Sequence, residues 1–363
     1  MKAIMVKPPE RGIKFSNFTE DESVTGQLKI RTLENGICGT DREIVAGLLG
    51  ASSIPKGSSE MVLGHECVGV VEEDGDVFRK GDIVMPVNRR GCGQCVNCLL
   101  GRPDFCETGN FVEAGIKGMH GFMRESFMDQ EKFLVKVPGT IMNFAIMAQP
   151  LSDLEKSVEE ILTMQKRMRW NCNDGTFNCR KALVIGTGPI GTLTAILLRS
   201  YGFQVSVLNR RPANEREKRM FEITEVNYED GGNDLINMWD SGKTYDLIIE
   251  ASGSDAAFVG KSIHLLKNNG ILGIFGFSSR GSAVLDHSAV QSIAYKSIAV
   301  VGLINGQKPH FERAMNRLAE WKSKWPGLVD EFITRSIPVN DEKEIRSALE
   351  NKKSGEIKIT IKW

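Results

Sequence analysis

Four cysteines crowd the stretch GCGQCVNCLLGRPDFC: Cys92, Cys95, Cys98 and Cys106. Loops of this spacing can wrap four sulfurs tetrahedrally round one zinc ion. Four thiolates fill the coordination sphere and outweigh the cation's charge, so such a site has no open position and little Lewis acidity. It is a staple for the surrounding lobe, about residues 88–110. An iron–sulfur cluster is the rival occupant, because cysteine ligation alone does not exclude it. Two other segments carry ligand-type side chains, GICGTD with Cys38 and LGHECVG with His65 and Glu66. A single Cys or His is more often packing than ligand, and spacing alone does not make these a site.

A second kind of chemistry is written in ALVIGTGPIGTLTAILL, where Gly186, Gly188 and Gly191 enclose Pro189 and Ile190 between an apolar run and a helical one. One glycine makes the tight turn and one admits a pyrophosphate to the backbone. The third allows close helix–strand packing, and the helix N-terminus faces the phosphates. The next apolar run ends at Asn209, followed by Arg210 and Arg211. An NAD-selective site usually offers a carboxylate there to the ribose 2′-hydroxyl. An acid would repel a 2′-phosphate, whereas Asn tolerates it and paired guanidiniums attract it. NADP, or dual use of NADP and NAD, is therefore expected.

These residues need a scaffold. The chain has 363 residues, enough for two domains. Its 46 Lys and Arg balance 46 Asp and Glu, which argues against nucleic acid as the main partner. No secretory h-region or membrane-length apolar stretch is present, so the expected location is the cytoplasm, where clustered cysteines favour metal over disulfides. Cys172 and Cys179, in NCNDGTFNC, could be free thiols or a disulfide. Up to about residue 140 the chain shows short β-like runs (KAIMVK, QLKIRTL, CVGVVEE, DIVMPV, KFLVKVP), a compact β-rich domain. Ser152 and Glu155 have capping-box spacing at the start of an amphipathic helix. From Lys181, strand-like and helical segments alternate, and the strand runs (KALVIG, QVSVLN, YDLIIEAS, GILGIFGF, IAVVGLI) lack strict alternation, as in a parallel sheet covered on both faces. In EIKITIKW the residues Ile357, Ile359, Ile361 and Trp363 alternate, which predicts a half-buried strand completing the first domain.

Taken in order, GICGTD, LGHE, the four-cysteine lobe and GTGPIG resemble the zinc-dependent medium-chain dehydrogenase/reductase superfamily over essentially the whole chain. MPVNRRGCGQCVNCLLGRPDFCETG, AQPLSDLEKSVEEIL and GLINGQKPHFERA are most similar to its archaeal glucose 1-dehydrogenases. The resemblance implies an α/β protein in which a GroES-like catalytic domain (1–153 and 307–363) is interrupted by a doubly wound Rossmann domain (154–306). It implies Cys38 and His65 as catalytic-zinc ligands, Glu66 as a close or alternating ligand, and Thr40 beside the reacting hydroxyl. Gln149 stands where many relatives carry Cys or Glu; it could bind zinc directly or through water, or merely cap the helix. A zinc held by one thiolate, neutral His and neutral Gln would keep a net positive charge unless Glu66 cancels it. Asn88, Glu113, Gln149, Asp153 and Asn305 are the implied sugar contacts; Asp153 could equally serve the helix N-terminus. The expected reaction is oxidation of the C1 hydroxyl of an aldose to a lactone, with hydride transfer to NADP or NAD, by a homotetramer. A zinc dehydrogenase of another alcohol or polyol, or a cofactor-binding paralogue without chemistry, are the alternatives.

Overall fold

The computed structural model describes residues 1–19, 26–50, 52–230, 242–253, 255–276 and 281–363. Contacts divide the chain into two units, Met1–Ser152 with Asn305–Trp363, and Asp153–Ile304. Asp153 thus falls in the second unit and Asn305 and Gly306 in the first, the reverse of the sequence expectation. Gly306 packs against Ser152 so closely that a Cβ would lie 2.4 Å from its hydroxyl, which anchors the return of the chain to the first unit.

The first unit is built on a sheet whose long central strand is Gln27–Ile37. On one side of it lie Cys67–Val71, Ile83–Pro86 and Leu134–Lys136; on the other, Lys358–Lys362 and Ile333–Pro338. Lys358–Lys362 runs antiparallel to Gln27–Ile37 and parallel to Ile333–Pro338. Flanked on both sides, it is buried from Lys358 to Ile361. The half-buried strand predicted from alternation is therefore incorrect: its polar positions face the interior too. Thr360 meets the Ser336 hydroxyl at 3.0 Å, and Lys358 has a partner described below. Ile359 and Ile361 join Ile4, Ile37, Leu63 and Ile345 in the main apolar core of this unit.

The second unit carries a six-stranded parallel sheet. In space the order is Asn227–Asp230, Gln204–Asn209, Lys181–Ile185, Tyr245–Glu250, Leu266–Ile274 and Ala299–Gly302. This is the doubly wound dinucleotide-binding order, which reverses direction between Lys181–Ile185 and Tyr245–Glu250 and opens a crevice there. The short strand Asn227–Asp230 escaped the sequence reading because NYED has no apolar run to announce it. Helix Ala148–Met164 starts four residues before the expected capping box. The 3-10 segment Gly139–Met147 runs directly into it, so its first amides already have carbonyl partners. Pro150 sits in that first turn, where a missing N–H costs little. Ser152 instead donates to the Gln149 carbonyl at 2.7 Å, and Glu155 accepts from the Tyr201 hydroxyl at 2.9 Å. Cys172 and Cys179 form a disulfide, beside a cluster of Trp170, Phe177 and Phe203. Among the described residues no helix is long and apolar enough to cross a membrane.

Because Ile361 is fully buried, Ile361→Ala is expected to lower stability by roughly 2–4 kcal/mol. The fall should show in the urea midpoint, and an unchanged midpoint would mean that this strand is not part of the cooperative core.

Candidate active site

Cys38 directly follows the central strand of the first unit and is the N-cap of the helix Gly39–Val45. His65 and Glu66 precede the neighbouring strand Cys67–Val71. The pairing of these two strands brings the three side chains together, with ligand atoms of Cys38, His65 and Glu66 all within 4.8 Å of one another. A thiol, an imidazole and a carboxylate converging in a buried space make a donor set suited to zinc.

Asp41, which sequence reasoning passed over, orders this centre. It is fully buried, and its Oδ2 accepts from the Cys38 amide at 2.8 Å. Its Oδ1 lies 3.2 Å from His65 Nδ1, close enough for a charge interaction though off the line of an ideal hydrogen bond. A carboxylate on the far nitrogen of a ligating histidine fixes its ring and raises its basicity. Burial works to lower the His65 pKa. The Asp41 carboxylate, helped by Cys38, outweighs it and holds the pKa well above the ordinary value. A cation taking this imidazole as ligand would compete with a proton for it. The local signal for Asp41 was present: an acid three residues after Cys38, at the third position of a helix.

Lys358 had no such signal. Its ammonium donates to both Glu66 oxygens, at 2.7 and 2.6 Å, with both side chains buried. Gly36 makes the room, since a Cβ there would lie 1.8 Å from Glu66 Oε2. A carboxylate already neutralised by an ammonium adds little negative charge to the neighbouring metal site. Contact between Glu66 and a metal would have to be shared with Lys358 or taken from it. Gln149 is buried in the first turn of its helix, and Asp153 follows one turn later on the same face. Thr40 is half-buried, with its hydroxyl 4.0 Å from Cys38 Sγ.

Three of the sugar-contact candidates meet on a small sheet formed by Arg89–Arg90, Val112–Ala114 and Gly118–Met119. The Asn88 carbonyl accepts from the Ala114 amide at 3.0 Å, which sets Asn88 beside Glu113. Asn305 adopts a left-handed backbone (φ +67°), a conformation Asn tolerates better than most residues. With its amide oriented to satisfy its neighbours, its nitrogen donates to Glu113 Oε1 at 3.1 Å and its oxygen accepts from Arg89. Arg89, also missed, is buried. It lies 3.5 Å from Glu113 Oε1 and 3.7 Å above the Phe111 ring. Burial raises the Glu113 pKa, opposed by Arg89, His65 and Lys117.

The four lobe sulfurs also lie within 4.8 Å of one another, all half-buried. The amides of Gln94 and Cys95 point at Cys92 Sγ, at 3.5 and 3.4 Å. With the Thr108 hydroxyl contributing most, they push the Cys92 pKa down to about 6. Amide donors aimed at a sulfur stabilise thiolate, the form a metal needs.

In the second unit, Gly186 turns with φ +103°, and a Cβ on Gly191 would lie 2.1 Å from the Gly186 carbonyl oxygen. Gly188 caps the helix Pro189–Ser200, Pro189 is its first residue, and the Ile190 carbonyl accepts from Thr194 at 2.7 Å. The amides at that helix start are thus presented beside the turn. Asn209 ends the second strand and donates to the Thr187 hydroxyl of the glycine turn. Arg210 is exposed, 5.4 Å from the Phe258 ring, while Arg211 pairs with Glu217.

Comparison with known proteins agrees with this architecture. Residues 24–139 match the family described as alcohol dehydrogenase GroES-like domain, and residues 142–363 match that described as glucose dehydrogenase C-terminus. The fold and donor sets define a zinc-dependent medium-chain dehydrogenase. Within that class, the chain belongs to the glucose dehydrogenase family. It is 52% identical to glucose 1-dehydrogenase 1 of Picrophilus torridus and 48% identical to glucose 1-dehydrogenase 2 of Saccharolobus solfataricus, in both cases over 100% of each chain. Glucose dehydrogenase of Haloferax mediterranei, solved in complex with NADP, Zn and gluconolactone, superposes with a TM-score of 0.87 at 29% identity, covering 100% of this chain and 99% of that one.

Two outcomes follow from the ion pair and the lobe. Lys358→Met leaves Glu66 buried and unpaired, so urea unfolding of the metal-free protein should show a loss of roughly 3–5 kcal/mol. Adding Glu66→Gln should recover most of it. Cys92→Ser should lower the melting temperature and open residues 91–106 to proteolysis while NADP binding persists; a lobe as resistant as before would show that its sulfurs hold nothing.

Proposed function

We infer that this protein oxidises the C1 hydroxyl of an aldopyranose to the lactone, D-glucose first and D-galactose or a related sugar beside it, passing hydride to NADP or NAD. The observation that carries this reading is the polar cluster of Asn88, Glu113 and Asn305 in the same unit as the Cys38–His65 donor set. A simple alcohol needs no such cluster. A polyhydroxylated ring does, because discrimination among sugars depends on filling each buried hydrogen bond.

In this reading Cys38 and His65 hold zinc, with Gln149 and Glu66 as further candidate ligands. When bound, zinc supplies Lewis acidity toward the substrate hydroxyl. Thr40 receives the hydroxyl proton and relays it outward as hydride leaves C1 for the nicotinamide. The products are lactone, reduced nicotinamide and one proton. Asn88, Glu113, Asn305 and Asp153 orient the ring hydroxyls. Asp41 and Arg89 are positioning residues, the first for Cys38 and His65, the second for Glu113 and Asn305. Cys92, Cys95, Cys98 and Cys106 hold a structural zinc away from the chemistry. Gly186, Gly188, Pro189, Ile190 and Gly191 cradle the pyrophosphate, while Asn209, Arg210 and Arg211 meet the adenosine ribose and its 2′-phosphate. The enzyme works in the cytoplasm.

We also propose a homotetramer. Ala299–Gly302 is the edge strand of the six-stranded sheet; Val300 within it is exposed, as are Val284, Val290 and Tyr295 in the preceding segment. Edges of this kind pair readily with a second copy.

A spectrophotometric screen is expected to rank D-glucose and D-galactose above sorbitol and simple alcohols, with turnover lost on chelation. The reverse ranking would assign the chain to a different substrate. Cys38→Ser should abolish turnover without lowering the melting temperature. Sedimentation analysis should give four chains per particle; a monomer would remove the tetramer.

A further inference from the structure

Arg210 and Arg211 are not equivalent. The Arg211 guanidinium is forked onto Glu217, with Nη1 donating to Oε2 and Nη2 to Oε1, both at 2.7 Å. Nη2 also lies 3.5 Å from the Thr187 hydroxyl in the glycine turn, so this charge sits against the nucleotide loop. Glu217 is buried, whereas the Arg211 side chain is 34% exposed. The carboxylate is fixed independently of the arginine. It accepts from the Asn214 amide at 2.9 Å while the Glu217 amide donates to Asn214 Oδ1 at 2.9 Å, a reciprocal cap on the helix Glu215–Thr224. Arg211 is therefore the partner that can turn away, and Glu217 the one that stays.

We propose that Glu217 is a specificity-determining residue that neutralises Arg211 and so holds down the preference for NADP over NAD. The inference rests on the reading above that these arginines meet the 2′-phosphate. A phosphate dianion and the Glu217 carboxylate compete for one guanidinium charge. A 2′-hydroxyl carries no charge and does not enter that competition. The fixed acid thus removes part of the gain that a second arginine would give NADP, while NAD binding is untouched. An acid of this kind does the work of the strand-end carboxylate of NAD-selective sites at one remove, acting through the arginine instead of on the ribose.

The test uses the zinc-loaded protein and measures dissociation constants for NADP and NAD by titration calorimetry, without turnover. Gln serves as well as Glu at the third position of a capping box, so Glu217→Gln removes the charge and keeps the helix start. It should tighten NADP by about three- to five-fold and leave NAD unchanged. In an Arg211→Met background the same substitution should change neither constant. Glu217→Gln that weakens NADP, or leaves the NADP-to-NAD ratio where it was, overturns the proposal. So does an effect that survives in the Arg211→Met background. A further comparison does not depend on any Glu217 variant folding: Arg211→Met by itself should change the NADP-to-NAD ratio little, and a large fall in that ratio is contrary to a neutralised Arg211. If Arg210→Ala with Arg211→Ala leaves the ratio unchanged, the underlying 2′-phosphate reading falls with it.

Discussion

The buried pair of Glu66 and Lys358 joins the two sequence segments of the first unit beside the Cys38–His65 donor set. Neither charge could stand there alone, because an isolated buried ion pays a desolvation penalty of several kcal/mol. Together they fix the register of Lys358–Lys362 against the central strand, since a slip of one residue would turn the ammonium away and bury a different side chain. The arrangement demands a glycine at position 36 and a strand buried on both faces. It also decides the electrostatics of the neighbouring donors. Glu66 is acidic in sequence but paired with an ammonium, so a cation held by Cys38 and His65 would keep more of its positive charge.

Around this pair the first unit separates two uses of cysteine. Cys38 sits just after a sheet strand, with Asp41 ordering its amide and the His65 ring. The four lobe cysteines sit in a half-buried loop where amides and a hydroxyl favour thiolate at Cys92 and Cys106, while burial opposes it at Cys98. The first two strands of the small sheet flank the lobe in sequence and place Asn88 beside Glu113, so the lobe's anchorage and the placement of these polar side chains are one structural problem.

The second unit shows the same economy of charge. A fixed carboxylate in a helix cap answers one arginine of a pair, much as Lys358 answers Glu66. In both places a residue that looks functional by type is tempered by a counter-ion distant in sequence or hidden in local structure.

Much was legible without coordinates. The glycine fingerprint, the order of apolar runs and the cysteine spacing identify two domains, a nucleotide fold and a structural lobe, because each depends on short-range geometry that neighbouring residues encode. The errors arose where short-range pattern was the wrong guide. Ser152 and Glu155 have the spacing of a cap but lie inside a helix that a preceding 3-10 segment had already begun. The alternation in EIKITIKW suggested a wet face, yet tertiary packing covers both. Asp41 was within reach of the sequence, three residues from Cys38. Lys358 was not: its partner is 292 positions away, and a lysine on an alternating strand ordinarily faces water. Local sequence determined the elements and the chemical types available. Only the tertiary structure decided which charges face one another, since a buried charge is defined by the partner that folding brings to it.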